Sequence, residues 1–224
     1  MYKQKERDEP SDFEPNKTLD VIKIYPSIPY GTVCEHPVIA FDKLDGSNIR
    51  AEWQRKSGWF KFGTRNRLLD KTDLEFGKVP DMLNGSIGDD IQKVLLNTKY
   101  DRAMCFFEFH GPNSFAGMHN ANDQFRLTLI DVAPFKAGII PPDKFVKLFG
   151  HLDIPNVLHE GKVNDAFIES VRESTLQGMT LEGVVCKANV GKKLPVMFKQ
   201  KSRAWLDKLR KYCGDNNELF RALS

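Results

Sequence analysis

A lysine, a carboxylate two residues on, a glycine and two small polar residues lie together in Phe41-Asp42-Lys43-Leu44-Asp45-Gly46-Ser47-Asn48-Ile49-Arg50. Strand-like residues flank them, with Pro37-Val38-Ile39-Ala40-Phe41 before and Ile49-Arg50-Ala51-Glu52-Trp53 after. This order suits a nucleophilic amine at the mouth of a sheet. A surface lysine with a pKa of about 10.4 is a poor nucleophile at neutral pH. Cationic neighbours and partial burial lower that value and expose the lone pair. Gly46 permits close approach of the backbone to a ligand. The same Asp-Gly pair is also a common hairpin signal, so the stretch equally reads as a plain hairpin with a solvated lysine.

A second set of chemistry-bearing residues is more unusual. Glu108, Asp131, Glu182, Lys199 and Lys201 each sit singly at the end of an apolar, strand-like run. A charge on a buried strand is costly unless paired or used, although any one of these residues could mark where its strand meets water. Together with Lys43 and Arg65 they offer cations for a phosphate clamp. The glutamates could hold a ribose or a hydrated magnesium. Other nucleotide sites lack their glycine cradles: there is no G-x-x-x-x-G-K-[ST] and no G-x-G-x-x-G. Neither H-E-x-x-H nor G-x-S-x-G occurs. The five histidines show no ligand spacing, and His110, two residues after Glu108, reads as structural.

These residues need elements to position them. Aromatic alternation in Gly58-Trp59-Phe60-Lys61-Phe62 predicts a third strand, ending in a basic turn with Arg65 and Arg67. Residues 68 to 87 read mainly as loop, and 89 to 96 as a helix with acids in its first turn. Strands are predicted over 103–109, 125–132, 181–187 and 196–201, with a possible short one over 19–24. Helices are predicted over 141–149, 163–175 and 203–212. Lys199 and Lys201 alternate, so they share one face of their strand. Ser202 is placed to cap the last of these helices. Residues 1 to 18 are polar and carry two prolines. They read as a flexible arm before one domain over 19–213, with 214–224 as a short tail or helix.

The 224 residues, with an apolar fraction of 41%, suffice for one substantial core. A net charge of +3 says little about partners, so any nucleic-acid footprint must be a local patch. Cys34, Cys105, Cys186 and Cys213 are widely spaced, which argues against a disulfide framework or a structural zinc and for a reducing, intracellular (cytoplasmic) setting. No signal peptide or membrane span is legible, and a membrane is not an expected partner.

The order Lys43-x-Asp45-Gly46-x-Asn48, Arg65, Glu108, Asp131, Glu182-Gly183, Lys199-x-Lys201 resembles the covalent nucleotidyltransferase superfamily of ATP-dependent DNA ligases, RNA ligases and mRNA capping enzymes. The resemblance implies an α+β fold: a nucleotidyltransferase (adenylation) domain of twisted antiparallel sheets with flanking helices and a nucleotide cleft between the sheets. By the same resemblance Lys43 would carry AMP as a phosphoramidate. Arg65 would contact the nucleotide and the incoming 5′-phosphate, and Glu108 the ribose. Glu182 would help hold magnesium or manganese through water. Lys199 and Lys201 would contact the α-phosphate, Asp42 and Leu44 would lie at the adenine edge, and Asn48 near the phosphates. Ile130 stands where the family commonly has an aromatic, so apolar packing would replace stacking on adenine.

Two details point to the RNA ligase branch, similar to the phage nick-sealing and kinetoplastid editing enzymes. Asn48 lies five residues after Lys43, where DNA ligases and capping enzymes usually have arginine. The residues after Lys201 are too few for an OB domain, so none is expected. The implied activity is ATP-dependent joining of RNA 5′-phosphate and 3′-hydroxyl ends. RNA would be gripped by Arg65, Arg67, Arg203, Lys208, Arg210 and Lys211. The alternatives are a DNA-joining or end-adenylating enzyme, a non-catalytic end-binding module, and one part of a ligase whose RNA-binding domain is a separate subunit.

Overall fold

In the computed structural model, residues 22–31, 34–112, 122–190 and 194–224 are described. The predicted arm and the first part of the possible strand over 19–24 lie outside them; residues 22–24 form no strand. Two antiparallel four-stranded sheets face each other. One has the order β6 (Val157–Gly161), β1 (Val38–Asp42), β7 (Gly183–Ala188), β8 (Val196–Lys201). The other has the order β3 (Gly58–Thr64), β2 (Ser47–Gln54), β4 (Arg102–His110), β5 (Arg126–Pro134). Helices α1 (Val79–Leu83), α2 (Ser86–Leu96) and α3 (Pro142–Phe149) pack on the outer face of the second sheet, and α4 (Asp165–Arg172) on the outer face of the first. Then α5 (Arg203–Cys213) and α6 (Asn217–Leu223) follow β8. The α+β architecture with two antiparallel sheets is the one anticipated.

Alternation fixes which residues reach the space between the sheets, since successive side chains on a strand point to opposite faces. In the first sheet Phe41 pairs with Val185, and Val185 with Lys199, while Gly183 pairs with Lys201. In the second, Asn48 pairs with Glu108, and Phe106 with Asp131. These two rows face one another. The opposite faces carry the apolar cores: Ile49, Ala51, Trp53, Cys105 and Phe107 under α1 to α3, and Val38, Ala40, Val184 and Cys186 under α4.

The hairpin anticipated around Asp45-Gly46 does not form. Both edges of β1 are taken by β6 and β7, and both edges of β2 by β3 and β4, so β1 and β2 cannot pair. Residues 43–46 instead cross from one sheet to the other. Gly46 serves this crossing: a Cβ there would lie 2.3 Å from the Phe109 carbonyl oxygen. Two elements fall where no element was predicted. Short α1 lies in the expected loop over 68–87, and β6 is an edge strand without buried alternation. Side-chain caps hold three helix starts: Asn164 accepts from Phe167 N at 2.8 Å, Ser202 from Trp205 N at 3.1 Å and Asn216 from Leu219 N at 2.9 Å. Each cap is worth about 1 kcal/mol. All four cysteines are free.

Candidate active site

Lys43 leaves β1 tethered at its backbone, with its N–H donating to the Gly183 carbonyl at 2.9 Å. That close approach needs Gly183 at φ +137, where a Cβ would meet the Gln200 oxygen at 2.1 Å. The Lys43 ammonium lies 2.8 Å from Glu182 Oε1, and Lys201 Nζ lies 3.1 Å from the same oxygen. One carboxylate thus sits between two lysines. Glu108, on the facing sheet, acts on Lys43 through its charge. Burial depresses the Lys43 pKa, but the charges of Glu182 and Glu108 outweigh it and hold the pKa above the ordinary lysine value. The resting amine is therefore protonated, the reverse of the lowering anticipated from cationic neighbours. Burial takes Lys201 down to about 8 despite its share of Glu182, and Lys199 is also lowered, by burial and then by Lys43.

A cleft of about 830 Å³ opens beside Lys43. Asp42, Leu44, Asn48, Arg65, Arg67, Glu108 and Ile130, all singled out in the sequence, line it. Phe41, Ile130, Pro155 and Val185 supply its apolar part. Asp42 is turned toward Thr180, accepting from its N–H at 2.9 Å and its hydroxyl at 3.1 Å. Burial foremost raises its pKa, with the Thr180 bonds opposing. Lys199 and Lys201 converge on one spot, as their alternation predicts, and there they donate to a main-chain oxygen of Ser224 at 2.8 Å and the Leu223 carbonyl at 3.2 Å.

Among the cleft residues the sequence reading missed are Tyr25, Lys187 and Leu223. Tyr25 and Lys187 both reach Asp131 Oδ2, at 2.5 and 2.7 Å, and both line the cleft. Leu223 of α6 forms another part of its wall. Asp131 is not at a strand end but within β5, in a buried pair. The cations of α5 do not make an open row. Arg203 pairs with Glu169 of α4 and with Glu173 just after it, and Arg210 lies 3.6 Å over the Phe220 ring and donates to Asn217 at 2.9 Å. Lys208 is half-buried and Lys211 exposed. Arg67 pairs with Asp73, while Arg65 is exposed at the cleft mouth.

Burial, with lesser effects from Glu182 and Asp45, pushes the Glu108 carboxyl up to about 8, against the lowering by Lys43 and Arg65. A carboxyl raised this way binds its proton more tightly folded than unfolded. Its cost is absent at low pH and grows as pH rises from about 4.5 to about 8. Glu108→Gln is therefore expected to remove part of the alkaline loss of stability, raising the melting temperature at pH 8.5 by about 3–8 °C and leaving it unchanged at pH 4.5. Calorimetry at both pH values checks this; an equal shift at both would disprove the assignment.

No protein-family model and no curated protein matches the sequence. Solved structures do. An archaeal ATP-dependent RNA ligase superposes with a TM-score of 0.64 at 15% identity, over 90% of this chain and 56% of that one. A putative ATP-dependent DNA ligase from Aquifex aeolicus gives 0.62 at 17%, over 90% and 57%. The chain shares its fold with these ligase structures. A substituted Naegleria gruberi RNA ligase with ATP and Mn gives 0.56 at 17% identity, over 77% of this chain and 52% of that one. This ligase-like domain thus spans 52% to 57% of the length of these three structures. None of its described helices is long and apolar enough to cross a membrane.

Proposed function

We propose that the chain is an ATP-dependent RNA ligase, or its adenylating part, acting through AMP bonded to Lys43. The observation that carries this reading is the Lys43 amine 2.8 Å from Glu182, beside Lys201 and a cleft lined by Arg65 and Glu108, within a fold shared with ligases. The apolar walls at Phe41, Ile130 and Val185 suit the adenine, and Glu108 the ribose hydroxyls. Lys199 and Lys201 suit the α-phosphate. Lys43 gives up its proton and its nitrogen bonds the α-phosphorus, while pyrophosphate leaves. AMP then passes to a polynucleotide 5′-phosphate, and a 3′-hydroxyl displaces it. Splitting the condensation this way divides one high barrier into smaller ones.

The site also fits a divalent cation. Among the described residues no cluster of three or more His, Cys, Asp or Glu exists. Glu182 is a single hard oxygen donor, and Asn48 Oδ1 is a buried oxygen without a partner. One or two protein oxygens, completed by phosphate and water, is the ordinary manner of holding magnesium. Such a cation would offset charge developing on the phosphates. Drawing the Glu182 carboxylate away from Lys43 removes the main attraction that keeps the amine protonated.

RNA is favoured over DNA by Asn48, and the substrates are 5′-phosphate and 3′-hydroxyl ends, which a separate RNA-binding subunit could present. Arg65 is the best-placed cation for the 5′-phosphate. Lys211, with Lys208, extends a basic surface along α5. A DNA-joining reading is supported by the superposition on the Aquifex aeolicus protein, so matched RNA and DNA nicks should be compared directly. The first test is earlier in the pathway. Incubated with ATP labelled at the α-phosphate and magnesium or manganese, then denatured, the protein is expected to retain the label. An unlabelled chain under both metals would sink the reading.

A further inference from the structure

The two lysines proposed to meet phosphate are already occupied. Lys199 donates to a main-chain oxygen of Ser224 and Lys201 to the Leu223 carbonyl, at 2.8 and 3.2 Å. The last carbonyls of a helix have no partners within it and carry the negative end of its dipole. They stand in here for anionic oxygens. Leu223 at the same time walls the cleft. The element supplying these groups is loosely held. Helix α6 has no buried residue, and it joins α5 through Gly214 at φ 55, where nothing lies within 4 Å of a would-be Cβ. Its hold on the body includes the Phe220 ring, which lies under Arg210 and packs against the Trp205, Leu209 and Cys213 cluster of α5, the Arg210 bond to Asn217, and the two lysine contacts.

We propose that α6 is a self-occluding latch: its last turn and a phosphate-bearing ligand compete for Lys199 and Lys201, so that ligand binding releases the helix. This rests on the reading of that lysine pair as the phosphate site, but not on any bond to Lys43. A ligand whose site is closed most of the time binds more weakly by the fraction of time it is open. A dianionic or more highly charged phosphate has more charge to offer two ammonium groups than the main-chain oxygens of Leu223 and Ser224 have, so it displaces them. The reverse linkage also holds: any partner that holds α6 off the body tightens phosphate binding.

The probe is inorganic pyrophosphate, used with the full chain and with two variants that loosen α6 and leave both lysines in the sequence. Phe220→Ser removes the ring under Arg210, and Asn216→Ala removes the helix cap. Calorimetry is expected to show pyrophosphate binding about threefold to tenfold tighter in both variants. Hydrogen exchange is expected to show the amides of 217–224 exchanging about tenfold faster when the parent is saturated with pyrophosphate. Equal affinities in all three proteins, α6 exchange unmoved at saturation, or no binding to any of them overturns the latch. Because pyrophosphate binding needs no covalent step, failure of Lys43 labelling and failure of the latch are separate results.

Discussion

Lys43→Arg is expected to give a folded protein that takes no label from ATP carrying labelled α-phosphate, with a loss of at least about a thousandfold. Arginine preserves the charge beside Glu182, which lies 2.8 Å from the Lys43 ammonium, so the site does not collapse onto an unpaired buried carboxylate. What it removes is the lone pair, because a guanidinium does not deprotonate in the working range. Lys43→Ala is expected to lose the label too, but it also strips one of two cations from Glu182 and is the less clean test. ATP should still bind the arginine variant within about threefold of the parent, since the apolar walls, Arg65 and Lys201 are untouched. Mass spectrometry of the denatured protein, with equilibrium binding alongside, reads both quantities. Label retained by Lys43→Arg would move the nucleophile elsewhere and end the assignment.

The protonated resting state of Lys43 bears on how the site is switched on. Charge from Glu182 and Glu108 outweighs the effect of burial, so the isolated pocket favours the ammonium. The lowered pKa values fall instead on Lys199 and Lys201, the groups proposed to meet the phosphate. An anion bound between those lysines raises their pKa again, and a competing cation at Glu182 lowers that of Lys43. Under the proposed mechanism, the ligand-free electrostatics are thus the inverse of those attack would need, and substrate charges would correct them.

Much of the site was legible from residue type because single charges in apolar runs are costly enough to stand out. Glu108, Glu182, Lys199 and Lys201 did so. What alternation could not tell was which strand pairs with which. Asp45-Gly46 has the composition of a hairpin turn, and only the occupation of both edges of β1 and β2 by other strands shows it to be a crossing between sheets. The edge strand β6 was invisible for a related reason: Val157-Leu158-His159-Glu160-Gly161 buries neither face and carries no period. Arg203 read as a free cation because its partners, Glu169 and Glu173, are remote in sequence. Lys187 escaped notice as the last charged residue of Val184-Val185-Cys186-Lys187, where it passes for a strand reaching water. It is instead 3% exposed.

That buried lysine carries the second large effect. Lys187, on β7 of one sheet, donates to Asp131, on β5 of the other, at 2.7 Å and to the Ile130 carbonyl at 2.9 Å. Asp131 is 1% exposed, accepts from Tyr25 at 2.5 Å, and has its second oxygen, Oδ1, without a partner. The pair therefore ties the two sheets together beside the cleft. Removing one member leaves the other charge buried and uncompensated, which costs about 3–5 kcal/mol, more than the pair itself contributes. Lys187→Met keeps most of the apolar stem against the Phe41 and Phe145 rings, whose centroids lie 4.8 and 5.5 Å from the ammonium. Its loss is thus one of charge rather than volume. We expect Lys187→Met to lower the melting temperature by about 8–15 °C for a domain of this size. Lys187→Met combined with Asp131→Leu should recover at least half of that, because no charge is then stranded. Calorimetry on the parent, the single and the double variant closes the cycle. A double variant no more stable than Lys187→Met alone would show that the sheets are held by packing around Tyr25 and Phe106 and not by this charge pair.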